Sequence, residues 1–280
     1  MLINCKEMLE QSRGAIASFN CVDFEMARAC LEAGEEARHP VIIGIAVRHW
    51  KALGGRLFIP SIRSLCVEAD IPAALHLDHA GPEDLDIIDE ALDSGFSSVM
   101  IDASRKPFAA NVEVTRGIVQ RARLFNASVE AELGPLPGDE GVAGLVDTRE
   151  AVYTDPQEAG EFCAETGVDA LAVAVGTAHG LYTAEPEIQQ ELISRIARET
   201  GVPLVLHGAT GVPDEAIREA VRRGVKKINY FSGLLVDAMD VIRRERSSDD
   251  NDYLRHRSEL REAWKRRAGS LIQLYSGHSF

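Results

Sequence analysis

Residues 73–101 read AALHLDHAGPEDLDIIDEALDSGFSSVMI. A short run beginning at Ala73 ends in the polar pair Asp78-His79. A helical segment follows, with Leu85, Ile88 and Leu92 on one face. A second short run, from Ser98, ends in Asp102. This is the pattern of two parallel strands joined by a helix, about 30 residues in all. Both strands end on groups that can do chemistry.

The unit recurs along the chain. Apolar, β-branched-rich runs begin near Ile16, Val41, Ala73, Ser98, Ser128, Ala170, Pro203 and Lys226, separated by 25, 32, 25, 30, 42, 33 and 23 residues. Eight strand–helix units predict a (β/α)8 barrel over residues 1–280 as one domain. An open doubly wound sheet is the alternative. It would have fewer strands and usually a glycine-rich turn after the first, and AIASFN is followed here by CVDFE. Helix starts are marked by Asp155-Pro156, with Pro82, Pro186 and Pro213 read as further first-turn prolines. Ile188, Leu192 and Ile196 make another helical face. The 42-residue interval contains GPLPGDEGVAGLVDTREAVYT, residues 134–154, a long loop expected at the active-site rim. Residues from about 249 to 280 form a helical extension, with Leu260, Trp264, Ala268, Leu271 and Tyr275 as its apolar stripe. RRERSSDDND, just before it, reads as a solvated linker.

The chain has 280 residues, 45% apolar and 26% charged, which excludes collagen-like, disordered and disulfide-scaffold classes. Lys plus Arg number 30 against 44 Asp plus Glu, giving a formal charge of −14. Neither nucleic acid nor an anionic membrane is an expected partner. Five scattered cysteines, no apolar span and no signal-peptide pattern make the cytoplasm the expected location. An anionic substrate would need a site that is locally positive within this acidic chain.

The strand ends supply candidates. Asn20 follows the first run, Asp78 and His79 the third, and Asp102 the fourth. Glu130 and Glu132 lie in the fifth; His179, His207 and Asn229 follow or end the last three. A barrel brings these ends to one rim. Three neutral imidazoles with open positions suit a catalytic zinc ion. His39, His49, His76, His256 and His278 lack this placement, and His76 is expected to point into packing. Gly180, Gly208 and the segment Gly208-Ala-Thr-Gly211 let backbone N–H groups approach a ligand, and Ser232-Gly233 opens a helix. Loops after the last two strands of such barrels often hold phosphate at helix N-termini. Two tight turns would need glycine as well, and spacing alone does not separate these readings.

The motifs LHLDH, VEAELG, GTAHGLY and LHGATG, in this order, resemble the class II, zinc-dependent ketose-bisphosphate aldolases. The likeness runs from ASFNCVDFE to KKINYFSGL, most of the chain. The resemblance implies that His79, His179 and His207 hold Zn2+, with Asp102 and Glu132 near an alternative metal position. It implies that Asp78 moves the proton of the aldehyde-side hydroxyl, and that Gly180, Gly208, Thr210 and Ser232 cradle the phosphate of dihydroxyacetone phosphate. Asn20 and Asn229 become substrate contacts, and Glu140, with Asp139 next, the long-loop acid that moves the carbon-bound proton. Arg255 becomes the candidate for a second phosphate, and a monovalent cation a further candidate beside the first. No Schiff-base lysine is needed, so Lys226 and Lys227 read as structural. A homodimer or homotetramer is expected.

The chain departs from the family pattern at Ala46-Val47-Arg48, at His79-Ala80, at Ala209-Thr210 and at Phe231. The metal and proton-moving groups look intact, while the aldehyde-side determinants look changed. The expected activity is reversible cleavage of a phosphorylated ketose to dihydroxyacetone phosphate and an aldehyde. A phosphorylated deoxy-keto acid, or another non-bisphosphate ketose, is the alternative substrate, with Arg48 meeting a carboxylate. A zinc hydrolase or isomerase, or a non-catalytic phosphosugar-binding paralogue, would use the same barrel differently.

Overall fold

Eight parallel strands close on themselves in the computed structural model, which describes residues 1–138, 144–147, 152–246 and 252–277. They are β1 (Ile16–Asn20), β2 (Val41–Ala46), β3 (Ala73–Ala80), β4 (Ser98–Ile101), β5 (Ser128–Leu133), β7 (Ala170–Val173), β9 (Leu204–Leu206) and β10 (Val225–Tyr230). The order around the ring is β1-β10-β9-β7-β5-β4-β3-β2, and Ile16 opposite Lys227 closes it. This is the (β/α)8 barrel that the repeats predict. Two short strands, β6 (Leu145–Val146) and β8 (Leu181–Tyr182), form a separate parallel ladder.

The helices are α1 (Cys5–Gln11), α2 (Phe24–Ala37), α3 (Val47–Leu53), α4 (Gly55–Glu68), α5 (Leu85–Asp93) and α6 (Phe108–Arg123). They continue with α7 (Pro156–Thr166), α8 (Gln190–Thr200), α9 (Asp214–Arg222), α10 (Ser232–Arg246) and α11 (Tyr253–Tyr275). Strand side chains alternate, so one parity faces the helices and the other the barrel axis. Phe19, Ile43, Leu75, Leu77 and Val99 face outward and share a core with helix residues such as Met26, Ile62 and Ile88. Ile16, Ile42, Ala74, Met100, Ala172 and Val205 face inward as an apolar layer, joined by Cys5, Met8 and Leu9 of α1. Each large aliphatic side chain buried this way contributes about 1.5–3 kcal/mol. Further along most of the strands the inward positions turn polar, beginning with Ser18, His76, Glu130 and Lys227.

Asp155 caps α7 as expected, accepting from the N–H groups of Gln157 and Glu158, with Pro156 in the first turn. The other prolines behave differently. Pro82 sits in a turn closed by Asp84 N–H to Gly81 O (2.9 Å), ahead of α5. Pro186 lies before Gln189, the cap of α8, and Pro213 is itself the residue before α9. The buried face of α5 is Ile87, Ile88, Ala91 and Leu92, while Leu85 is 39% exposed. Ile188 is buried ahead of α8, whose own buried residues are Ile193 and Ile196. The first four residues of RRERSSDDND belong to α10 rather than to a linker.

Helix α11 buries Trp264, Ala268, Ile272 and Tyr275, packing on α2, α10 and β1. Trp264 Nε1 donates to Leu234 O at 3.0 Å. The five cysteines are buried thiols. No helix among the described residues is long and apolar enough to cross a membrane.

Candidate active site

Alternation along β3 puts His76 and Asp78 on one face, both fully buried and facing the axis. His76 therefore does not point into apolar packing. Its Nδ1 lies 2.8 Å from Ser98 Oγ and its Nε2 3.4 Å from Asp78 Oδ1. His79 should face the opposite way, yet it joins the site. Its backbone is left-handed, φ 51°, and the β3–β4 register shifts between Leu77 and Ala80. A β-branched or bulky residue rarely accepts that conformation, which costs of order 1–3 kcal/mol and persists where surroundings enforce it. The bulge lets two consecutive residues reach the same rim.

The rings of His79, His179 and His207 converge. Their centroids lie 4.7 Å (79–179), 4.7 Å (79–207) and 5.6 Å (179–207) apart, with near-perpendicular planes. One ring nitrogen from each falls within 4.8 Å of the others. His207 Nε2 is 2.9 Å from Glu130 Oε1, and Glu130 Oε2 accepts from Lys227 Nζ at 2.7 Å. His79 Nδ1 is 3.3 Å from Asp102 Oδ2. These carboxylates leave His79 Nε2 and His207 Nδ1 facing each other at 2.9 Å. Two lone pairs aimed at one point, each ring backed by a carboxylate, suit a divalent cation. Burial pushes His179 down to about 3 and His207 to about 4, so both stay neutral and able to ligate.

Three carboxyl groups surround the imidazoles in different states. Burial opposes ionisation of Asp78, but His79, His76, Lys227 and His207 together hold it well below the usual range. Asn20 Nδ2 donates to Asp78 Oδ2 at 2.7 Å and Asn229 Nδ2 to Oδ1 at 3.1 Å. A Cβ on Gly44 would overlap Asn20 Oδ1, so β2 delivers space rather than a polar group. Burial likewise opposes ionisation of Asp102, which hydrogen bonds with His79 and Ser104 hold well below the usual range. Glu132 is pushed up to about 8 by burial and by Asp102. Its Oε2 is buried without a hydrogen bond among the described residues, as is Asn229 Oδ1. The ligand atoms of His79, Asp102 and Glu132 also lie within 4.8 Å of one another. His76, Asp78 and Glu130 form a third such group, but Lys227 Nζ already places a cation against Glu130 there.

The glycine-rich turns meet beside the histidines. Gly208 has φ 71°, and a Cβ there would overlap the Ala178 carbonyl. Gly180 has φ 121°. Tyr182 joins the two loops: its hydroxyl donates to Gly208 O at 2.6 Å and accepts from Ala178 N–H at 2.9 Å. Thr210 Oγ1 accepts from Gly233 N–H at 3.4 Å, bringing the β9 loop to the first turn of α10, which Ser232 opens. Phe231 lies on His49, centroids 4.8 Å apart.

Arg255 is placed elsewhere, in the first turn of α11. Its guanidinium meets Glu245 at 2.8 Å and Glu259. Asp139, Glu140 and His278 fall outside the described residues. Sequence reading missed Ser104 and Arg105, which with Asp102, Glu132, His79 and His179 line a cleft of about 180 Å3. Their signal was position: both follow Asp102 at a strand's C-terminal end.

The family model for class II fructose-bisphosphate aldolases matches residues 3–278. The chain belongs to this family. It is a class II ketose-bisphosphate aldolase, a carbon–carbon lyase, and membership implies a divalent metal. The aldolase is 38% identical over 269 residues to a D-tagatose-1,6-bisphosphate aldolase subunit of Klebsiella oxytoca, covering 94% of each chain. It is 38% identical over 259 residues to a fructose-bisphosphate aldolase of Geobacillus stearothermophilus, covering 90% of this chain and 88% of that one. Its fold matches the YdjI aldolase of Escherichia coli K12 with TM-score 0.87 at 34% identity, over 98% and 97% of the two chains.

Proposed function

We propose that this aldolase holds zinc on His79, His179 and His207 and reversibly cleaves a phosphorylated ketose to dihydroxyacetone phosphate and an aldehyde. The observation that carries the reading is three imidazoles converging beside a carboxylate that two amides bracket. A bound zinc ion supplies Lewis-acid polarisation of the ketone.

The chain's own groups do the rest. Asp78, kept ionised and fixed by Asn20 and Asn229, accepts the proton of the hydroxyl on the aldehyde side as the carbon–carbon bond breaks. In condensation it returns that proton. Asn229 Oδ1, buried without a hydrogen bond among the described residues, is available to a substrate hydroxyl. The N–H groups around Gly180 and Gly208, with Thr210 and Ser232, take the phosphate. Glu140, with Asp139 as second choice, moves the proton on carbon. The chain acts in the cytoplasm as a homodimer or homotetramer.

The test is a zinc-loaded screen over ketose phosphates, with His207→Ala and Glu140→Ala. The first is expected to lose metal. The second should keep metal and lose proton exchange at dihydroxyacetone phosphate. Protein that retains no zinc and cleaves no ketose phosphate would overturn the reading. Exchange left intact by Glu140→Ala moves that role to Asp139.

A further inference from the structure

The ring order decides where the two ends of a substrate can lie. In β1-β10-β9-β7-β5-β4-β3-β2, β4 stands four places from β10, diametrically across an eight-membered ring. The glycine-rich turns and the first turn of α10 sit at the β9 and β10 ends. The three histidines come from β3, the residue just after β9 and the loop after β7. A ketose whose phosphate occupies the β9–β10 side and whose carbonyl meets the histidines therefore extends its far end towards the loop after β4.

That loop carries Arg105. It is exposed and lines the same cleft as His79, His179 and Asp102. The nearby carboxylate does not claim it. Asp102 is engaged by His79 at 3.3 Å and by Ser104 Oγ at 2.7 Å. Arg105 makes no hydrogen bond or ion pair among the described residues. Arg255, the sequence candidate for a second anion, is committed to Glu245 and Glu259.

We propose that Arg105 binds the acidic group, phosphate or carboxylate, on the aldehyde half of the substrate. A guanidinium presents a planar fork of N–H donors that matches either group in two parallel hydrogen bonds. Arg105 is then a specificity residue, not a proton-moving one. The assignment rests on the aldolase reading and on the phosphate lying at the β9–β10 side.

Condensation with dihydroxyacetone phosphate tests it. Zinc-loaded wild type, Arg105→Ala and Arg105→Lys are compared with glyceraldehyde 3-phosphate, succinic semialdehyde and neutral glyceraldehyde. Wild type is expected to prefer one acidic acceptor, and which one separates phosphate from carboxylate. Arg105→Ala should lower the kcat/KM ratio of that acceptor to glyceraldehyde at least tenfold, mainly through the acceptor's KM. Arg105→Lys should keep part of the preference. A ratio unchanged within twofold in Arg105→Ala, or a wild type that prefers glyceraldehyde, overturns the proposal. So does wild type that exchanges the proton of dihydroxyacetone phosphate yet condenses with none of the three. Loss of that exchange as well would instead overturn the aldolase reading beneath it.

Discussion

Replacing Lys227 by methionine tests how His207 is held. Lys227 and Glu130 form a fully buried pair at 2.7 Å, and Glu130 in turn fixes His207 Nε2 at 2.9 Å. Lys227→Met leaves the Glu130 charge without its buried partner, which costs about 3–5 kcal/mol. Denaturant unfolding should show that loss, and zinc competition a fall in affinity of roughly 10–100-fold. Adding Glu130→Gln removes the stranded charge, so the double variant should regain most of the stability; if it is no better, the charge argument fails. A second prediction concerns pH. His179 and His207 lie at about 3 and about 4 when folded, against about 6.5 when unfolded. As pH falls below about 6.5 the unfolded chain takes up protons first, so the metal-free protein keeps their contribution above that pH and loses it below. For zinc, two ordinary histidines would weaken binding about tenfold between pH 7.5 and 6, whereas these two should add almost nothing. Chelator competition at both values decides; a tenfold or larger fall would show that they are not held neutral. The convergence of His79, His179 and His207 was legible because each ends a strand or follows one. His76 was misread, since it shares the parity of Asp78. Lys227 looked merely structural because its partner Glu130 is 97 residues away.

At the scale of elements, the short β6–β8 ladder ties Leu145 and Val146 to the segment that follows His179. Leu145 and Val146 pair with Leu181 and Tyr182, and Tyr182 reaches back to clamp the β7 and β9 loops. Burial pushes its hydroxyl up to about 12, so it remains a donor at neutral pH. Tyr182→Phe leaves Gly208 C=O and Ala178 N–H without that partner, a loss of about 1–3 kcal/mol. Steady-state kinetics should show a severalfold rise in KM for the phosphosugar, with zinc affinity changed by less than about twofold. An unchanged KM would mean that the clamp does not shape a substrate-binding surface at these glycine-rich turns. The eight barrel strands were legible because their inward and outward residues are both buried, producing continuous apolar runs. The β6–β8 ladder was not. Its strands are two residues long and Leu145 is 79% exposed, so no periodicity marks them. Pro82 and Pro186 misled for a related reason: proline fits turns and first helical turns equally, and only tertiary contacts choose.

The whole molecule carries −14, yet its substrate is a phosphosugar. The sequence left this as an open question, and the fold answers it by location. The rim at the strand ends can gather positive charge locally, from the first turn of α10, from Arg105 and from the divalent cation that the histidines suit. Beyond a Debye length of about 10 Å at 0.1 M salt, an approaching anion meets net negative charge. Long-range steering should therefore not assist capture, and affinity should come from contacts made inside the rim. Salt then has two opposed effects: it screens the long-range repulsion, and it weakens the local attraction much less because that site is partly buried. Raising salt from about 0.02 to about 0.2 M should change kcat/KM for a phosphosugar by less than about twofold. A steep fall would mean that a positive field extends beyond the rim and outweighs the net charge.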